Sequence, residues 1–104
     1  MIAKYFEDLK VGDTFGGARY AVEREEMLAF ARKWDPRPIH LDDEAGRAAG
    51  FGEVIASGAY TTAIFTRLAL ASREQDGGHA VIAGLGATMS LPQPVRAGDV
   101  LVFR

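Results

Sequence analysis

No cysteine occurs anywhere in the chain, which excludes disulfide frameworks, thiolate zinc sites and cysteine nucleophiles. Neither sign of charge is in excess. Lys and Arg number 12 against 14 Asp and Glu, for a net charge of −2, so there is no basic field for nucleic acid or an anionic membrane. No uninterrupted apolar run approaches the length of a bilayer span. The opening Met1-Ile2-Ala3-Lys4-Tyr5-Phe6-Glu7-Asp8 carries an acidic pair and no signal-peptide core. The expectation is a cytoplasmic soluble protein with neither a nucleic-acid nor a membrane partner.

What is present fits one ordinary domain. The 104 residues set the domain count, and a hydrophobic content of 48% is typical of globular chains. Val11-Gly12-Asp13 reads as a turn and Thr14 to Val22 as a strand weakened by Gly16 and Gly17, a pairing that marks a bulge or close backbone approach. A helix begins at Glu23. Met27, Phe30, Ala31 and Trp34 form its apolar face at i, i+3, i+4 and i+7, and Pro36 ends it. Phe30 and Trp34 are expected in the core rather than against a substrate.

Asp42 is placed to cap a short helix from Asp43 to Ala49, with Gly50 as its stop. That capping role, with a solvated face, explains Asp42, Asp43 and Glu44 better than a metal site does. Phe51 to Ser57 is a loop or extended link. Ala59 to about Ser72 is the longest apolar segment, and Ala63, Ile64, Leu68, Ala69 and Ala71 leave only a narrow polar stripe, so burial on most sides is predicted. Thr61 and Thr62 open it as caps or as donors to a pocket, the structural role having more weight. Gln75-Asp76-Gly77-Gly78 reads as a turn, with His79 exposed and inert beside it. A strand over 80–91 is interrupted by Gly84 and Gly86 and ended by Pro92 and Pro94. Ala97-Gly98-Asp99 turns into a further strand from Val100 to Phe103.

This order predicts an α+β fold, with an antiparallel sheet curled around a central apolar helix. The sequence stops at Arg104 within the last strand, and two and a half strands cannot wrap a helix. The expectation is one domain over 1–104 whose C-terminal strands are missing, or a partner that completes the sheet.

The chemistry concentrates in Trp34-Asp35-Pro36-Arg37-Pro38-Ile39-His40. Pro36 and Pro38 each fix their own φ and push the residue before them out of the helical region. Asp35 and His40 therefore sit on one stiff turn, and carboxylate with imidazole is the usual equipment for moving protons near neutral pH. Further on, Ile55-Ala56-Ser57-Gly58-Ala59 leads into the apolar helix, and Gly58 opens it with free N–H groups. Taken alone, Asp35 before Pro36 is better read as a turn-stabilising residue than as a catalytic one, and a lone His40 would more often be structural.

These residues resemble the MaoC-like dehydratases, which include the (R)-specific enoyl-CoA hydratases and have the hotdog fold. The likeness runs from Tyr5-Phe6-Glu7-Asp8-Leu9-Lys10-Val11-Gly12-Asp13 through Asp35-x-x-Pro38-Ile39-His40, Phe51-Gly52 and Ile55-Ala56-Ser57-Gly58. It ends at Pro94-Val95-Arg96-Ala97-Gly98-Asp99. Arg37 stands where the hydratases usually have Asn, and Ser57 where many have a second His. Family members are longer than this chain by roughly a third of its length, which reads as truncation after Arg104.

The resemblance implies a hydro-lyase that adds water to a 2-enoyl thioester or removes it from a 3-hydroxyacyl thioester. Asp35 and His40 are its acid–base pair, and the Gly58 N–H is the donor to the thioester oxygen. Substrate contacts are expected from Arg37, Pro38, Ile39, Ser57 and Tyr60. No metal or cofactor is required beyond the coenzyme A of the acyl-CoA substrate, for whose phosphates Arg67, Arg73 and Arg96 are unranked candidates. A homodimer is implied. The alternatives are a hotdog acyl-CoA thioesterase, disfavoured because 59–72 holds no Asp or Glu, and a non-catalytic acyl-CoA binding module.

Overall fold

Acidic Glu25 and Glu26 occupy the first turn of helix α1 (Arg24–Trp34) and basic Arg32 and Lys33 its last, each sign at the end the macrodipole favours. The computed structural model describes residues 17–71 and 90–103 in full and the backbone of 72–75. Glu23 is the N-cap of α1, one residue outside the expected start. Met27 and Ala31 are buried as their spacing predicted, and Phe30 packs edge-on against Tyr60 with ring centroids 5.5 Å apart. Trp34 is a correction: its side chain is 64% exposed. It is the last residue of α1, beyond the core that covers Met27 and Ala31, and the Lys33 ammonium lies 5.0 Å from its ring centroid.

A 3₁₀ turn follows over Pro38–His40, and then helix α2 (Asp43–Ala48). The Asp42 carboxylate accepts from the Glu44 and Ala45 N–H groups, the expected cap. Gly50, at φ +93°, is the left-handed residue that stops the helix. Asp43 has a further role, because its carboxylate pairs with Arg24 at 3.0 Å and accepts from the Val54 N–H. That one side chain joins the start of α1, α2 and the extended segment 53–57.

Helix α3 runs Gly58–Gln75, opening one residue before the expected start and absorbing Gln75, which had been assigned to a turn. Tyr60, Ile64 and Leu68 make its inward face at i, i+4 and i+8, packing with Met27, Leu28, Val54 and Ala56 in one core. Burial on most sides does not hold among the described side chains. Phe65 and Leu70 are each about half exposed, although Phe65 meets Phe103 with centroids 5.5 Å apart. Among the described residues the core packs on one face of α3 only, and apolar content by itself does not compel burial of the rest.

Strands β1 (Arg19–Ala21) and β2 (Val100–Val102) pair antiparallel, with Tyr20 opposite Leu101. Those two central residues turn inward while their neighbours are exposed, the period of two that a half-buried sheet requires. The ladder extends through Gly17, at φ +101°, whose N–H donates to the Phe103 carbonyl, and through Val22, whose N–H donates to Asp99. The expected strand from Thr14 is thus confined to Arg19–Ala21 among the described residues, and the turn at Ala97-Gly98-Asp99 is present. The predicted features at 5–13, 76–79 and 80–89 lie outside the described residues. No helix among the described residues is long and apolar enough to cross a membrane.

Gly46 makes the tightest approach in this framework. A Cβ there would lie 1.9 Å from the Glu53 carbonyl oxygen, against backbone that cannot step aside. Gly46→Ala is expected to destabilise the fold by at least about 1–3 kcal/mol, read as a lower urea midpoint. An unchanged midpoint would mean that α2 does not press on segment 53–54.

Candidate active site

Asp35 is the C-cap of α1, at φ −153° and ψ 71°, and its N–H makes the last backbone bond of that helix to Ala31. Pro36 keeps Asp35 out of the helical region, and Arg37 is extended at φ −74° and ψ 142°. The Arg37 guanidinium folds back on the Asp35 carboxylate in a fork, Nε to Oδ1 and Nη2 to Oδ2, both at 2.8 Å. The Ser57 hydroxyl donates to the same Oδ2 at 2.7 Å. Its oxygen in turn accepts from the Ala59 N–H at the start of α3. Ser57 is fully buried. A single hydroxyl therefore links the N-terminus of α3 to the carboxylate at the C-terminus of α1.

His40 ends the 3₁₀ turn and is 3% exposed. Its Nδ1 lies 2.9 Å from the Ile55 carbonyl oxygen. A carbonyl only accepts, so Nδ1 carries the proton and Nε2 is the nitrogen free for chemistry. Nε2 stands 3.5 Å from Asp35 Oδ2, too far for a strong direct hydrogen bond but close enough for both groups to hold one small molecule. The Ile55 N–H donates back to Ile39, and the Ala56 N–H to Val95. Backbone bonds on both sides thus fix the segment that aims His40.

The Arg37 guanidinium and then the Ser57 hydroxyl, both bonded to Asp35, hold its carboxyl well below the usual carboxylate range. Beside them is a cleft of about 400 Å³. Its walls are mainly apolar, from Ile39, Ile55, Leu91, Pro92 and Val95, with Arg37, His40 and Gly58 among them. Gly58 opens α3, and no described residue accepts from its N–H. A Cβ at Gly58 would lie 2.7 Å from Leu91 Cδ1.

Of the residues singled out from sequence, Asp35, Arg37 and Ser57 form one bonded cluster that His40 faces at 3.5 Å, with Gly58 and Ile39 on the adjoining cleft wall. Asp35 and Ser57 do not themselves line the cleft and meet it through Arg37 and His40. Pro38 is exposed outside it. Tyr60, expected against substrate, is turned the other way. Its hydroxyl donates to Glu26 at 2.6 Å in the core between α1 and α3, and burial and then that bond push the phenol up from its ordinary value. Thr61 and Thr62 bond back to the Ser57 and Gly58 carbonyls, although Thr61 also borders the cleft. Arg96 donates to the Phe51 carbonyl. Among the described residues no group of three His, Cys, Asp or Glu side chains is arranged to hold a metal.

Sequence reasoning missed two features. Glu26 accepts from both Tyr20 and Tyr60, and no local pattern announces that. The fork between Arg37 and Asp35 did have a signal, because a guanidinium two residues from a carboxylate across a proline-stiffened turn is within reach of it.

Ser57→Ala removes both the α3 cap, worth about 1 kcal/mol, and a bond to Asp35. A depressed folded-state carboxyl lends stability that is complete above its unfolded value near about 3.9. That stability is lost as pH falls through the lower folded value. The Ser57→Ala loss in melting temperature is therefore expected to be larger at pH 7 than at pH 3. An equal loss at both would separate Ser57 from the carboxylate.

The family described as "MaoC like domain" matches residues 8–104. The crystal structure of a MaoC-like dehydratase from Rhodospirillum rubrum is 45% identical with a TM-score of 0.83, over 96% of this chain and 67% of that one. The structure of a monoamine oxidase regulatory protein from Archaeoglobus fulgius is 24% identical and shares the fold, with a TM-score of 0.79 over 98% and 71%. The uncharacterized protein YdeM of Bacillus subtilis is 30% identical over 96 residues, 91% of this chain and 67% of its own. The chain thus spans about two thirds of the length of these relatives.

Proposed function

The chain belongs to the MaoC-like domain family and has its α+β hotdog fold, and from that premise we propose that it is a hydro-lyase. It adds water to a 2-enoyl thioester, or removes it from the 3-hydroxyacyl thioester, with an acyl-CoA as substrate. The observation that carries this reading is the pairing of His40 Nε2 with the Asp35 carboxylate at 3.5 Å beside an apolar cleft.

The roles follow from the neighbours of each group. His40 has its proton on Nδ1, committed to Ile55, so Nε2 offers a lone pair. That nitrogen takes a proton from water as the water oxygen bonds to C3 of the enoyl group. The displaced electron pair moves through Cα onto the thioester oxygen, which the Gly58 N–H at the opening of α3 receives. The imidazolium then returns its proton to Cα, closing the balance. Asp35, held ionised by Arg37 and Ser57, is an acceptor for the second water hydrogen and a counter-charge to the transient imidazolium.

The apolar walls suit an acyl chain, and a glycine at 58 lets a thioester approach the amide. Proton transfer and hydrogen bonding suffice for this chemistry, so no metal or redox group enters it. The same reading includes a homodimer in the cytoplasm, the dimer being supported by the half-exposed Phe65 and Leu70 on α3.

The test is a hydration assay on enoyl-CoA substrates of graded chain length, following loss of the conjugated thioester absorbance. Turnover is expected for at least one length. Asp35→Asn and His40→Ala are each expected to lower it by roughly 10²–10⁴-fold with the fold intact by circular dichroism. Thiol release in place of hydration would establish a thioesterase, and binding without turnover a non-catalytic module.

A further inference from the structure

Arg37 is the one cationic side chain on the cleft wall apart from the titratable His40, among the described residues. It is spent on neither solvent nor a distant partner. Nε and Nη2 meet the two oxygens of Asp35 at the same 2.8 Å, although the guanidinium side chain is 66% exposed. A planar fork on both carboxylate oxygens fixes the plane of the carboxylate, which a single point charge cannot do.

Asp35 needs such a partner because of where it stands. It caps the C-terminus of α1, the end at which the macrodipole disfavours an anion. The charged groups around it are few. Lys33, on the same helix, is drawn to the Trp34 ring, and Arg32 is exposed in the same last turn. From the 3₁₀ turn His40 faces it at 3.5 Å, and from the start of α3 only the uncharged Ser57 hydroxyl reaches it.

We propose that Arg37 is a positioning residue, which holds Asp35 as a fixed anion in one orientation beside His40 and leaves proton transfer to His40 alone. Arg37 acts through Asp35 and does not grip the substrate. The inference rests on the hydro-lyase reading for its effect on turnover, but not for its effect on the carboxylate.

Two measurements test it. The first is a carbon-13 NMR titration of the Asp35 carboxyl, assigned by its loss in Asp35→Asn. In Arg37→Gln the midpoint is expected to move up by about one to three pH units, with Arg37→Lys in between. The second is steady-state kinetics across pH. Arg37→Gln is expected to lower kcat by at least about tenfold, with KM little changed and a new acid limb in kcat/KM as Asp35 protonates. Arg37→Lys is expected to recover part of that loss.

An unmoved carboxyl titration in Arg37→Gln overturns the proposal. So does a raised KM at unchanged kcat, since Arg37 would then be binding substrate. If the wild-type protein hydrates no enoyl thioester, the hydro-lyase reading fails while the titration still decides the role of Arg37.

Discussion

A carboxylate at the C-terminus of a helix is in the wrong field, and the site is built around offsetting that. Asp35 sits where α1 exposes its last carbonyls. It stays ionised there because Arg37 and Ser57 donate three hydrogen bonds to it. Ser57 could not be fully buried without that acceptor and the Ala59 N–H it caps. The same carboxylate thus stabilises the start of α3, the junction after α1 and the position of His40. Removing it would leave a buried hydroxyl and an imidazole with one face unpaired.

The other half of the site is held by backbone. Residues 54–57 run extended between the 3₁₀ turn and the loop at Val95, bonded to Ile39 on one side and Val95 on the other. Asp43 anchors their start through the Val54 N–H, and the close contact of Gly46 with Glu53 sets the spacing to α2. Segment 54–57 then carries three elements of the site within four residues. These are the Ile55 carbonyl that fixes the His40 tautomer, the Ser57 hydroxyl, and the direction in which Gly58 opens α3. Precision of this kind needs a rigid support, and segment 54–57 has it.

Much of this was legible in the residues. The periodicity of α1, the Asp42 cap, the Gly50 stop, the turn before Val100 and the start of α3 all rest on local rules, and the structure keeps them. The closeness of Asp35 and His40 was legible because two prolines stiffen the turn between helix and histidine. What local rules did not reach were contacts across elements. The family resemblance implies a substrate contact for Tyr60, two residues past Gly58. Two residues along a helix are a rotation of roughly 200°, and that turns it to Glu26. Trp34 continues an apolar stripe whose covering core stops before it, and the half-exposed Phe65 and Leu70 show the same limit on α3. A hydrophobic pattern states which face prefers burial and says nothing of how far the partner extends.

The most consequential part is a division of labour that neither the Asp nor the His encodes by itself. Two titratable groups side by side can each serve as acid or base, and the choice falls to whatever separates their environments. Here the separation comes from the neighbours. Arg37 commits the carboxylate to its ionised form, and the Ile55 carbonyl commits the imidazole proton to Nδ1. In the proposed hydro-lyase one group is left as a fixed charge and the other as the proton carrier. A guanidinium two residues from the carboxylate and a backbone oxygen fifteen residues from the imidazole would there together set which group moves the proton, which the motif alone leaves unassigned.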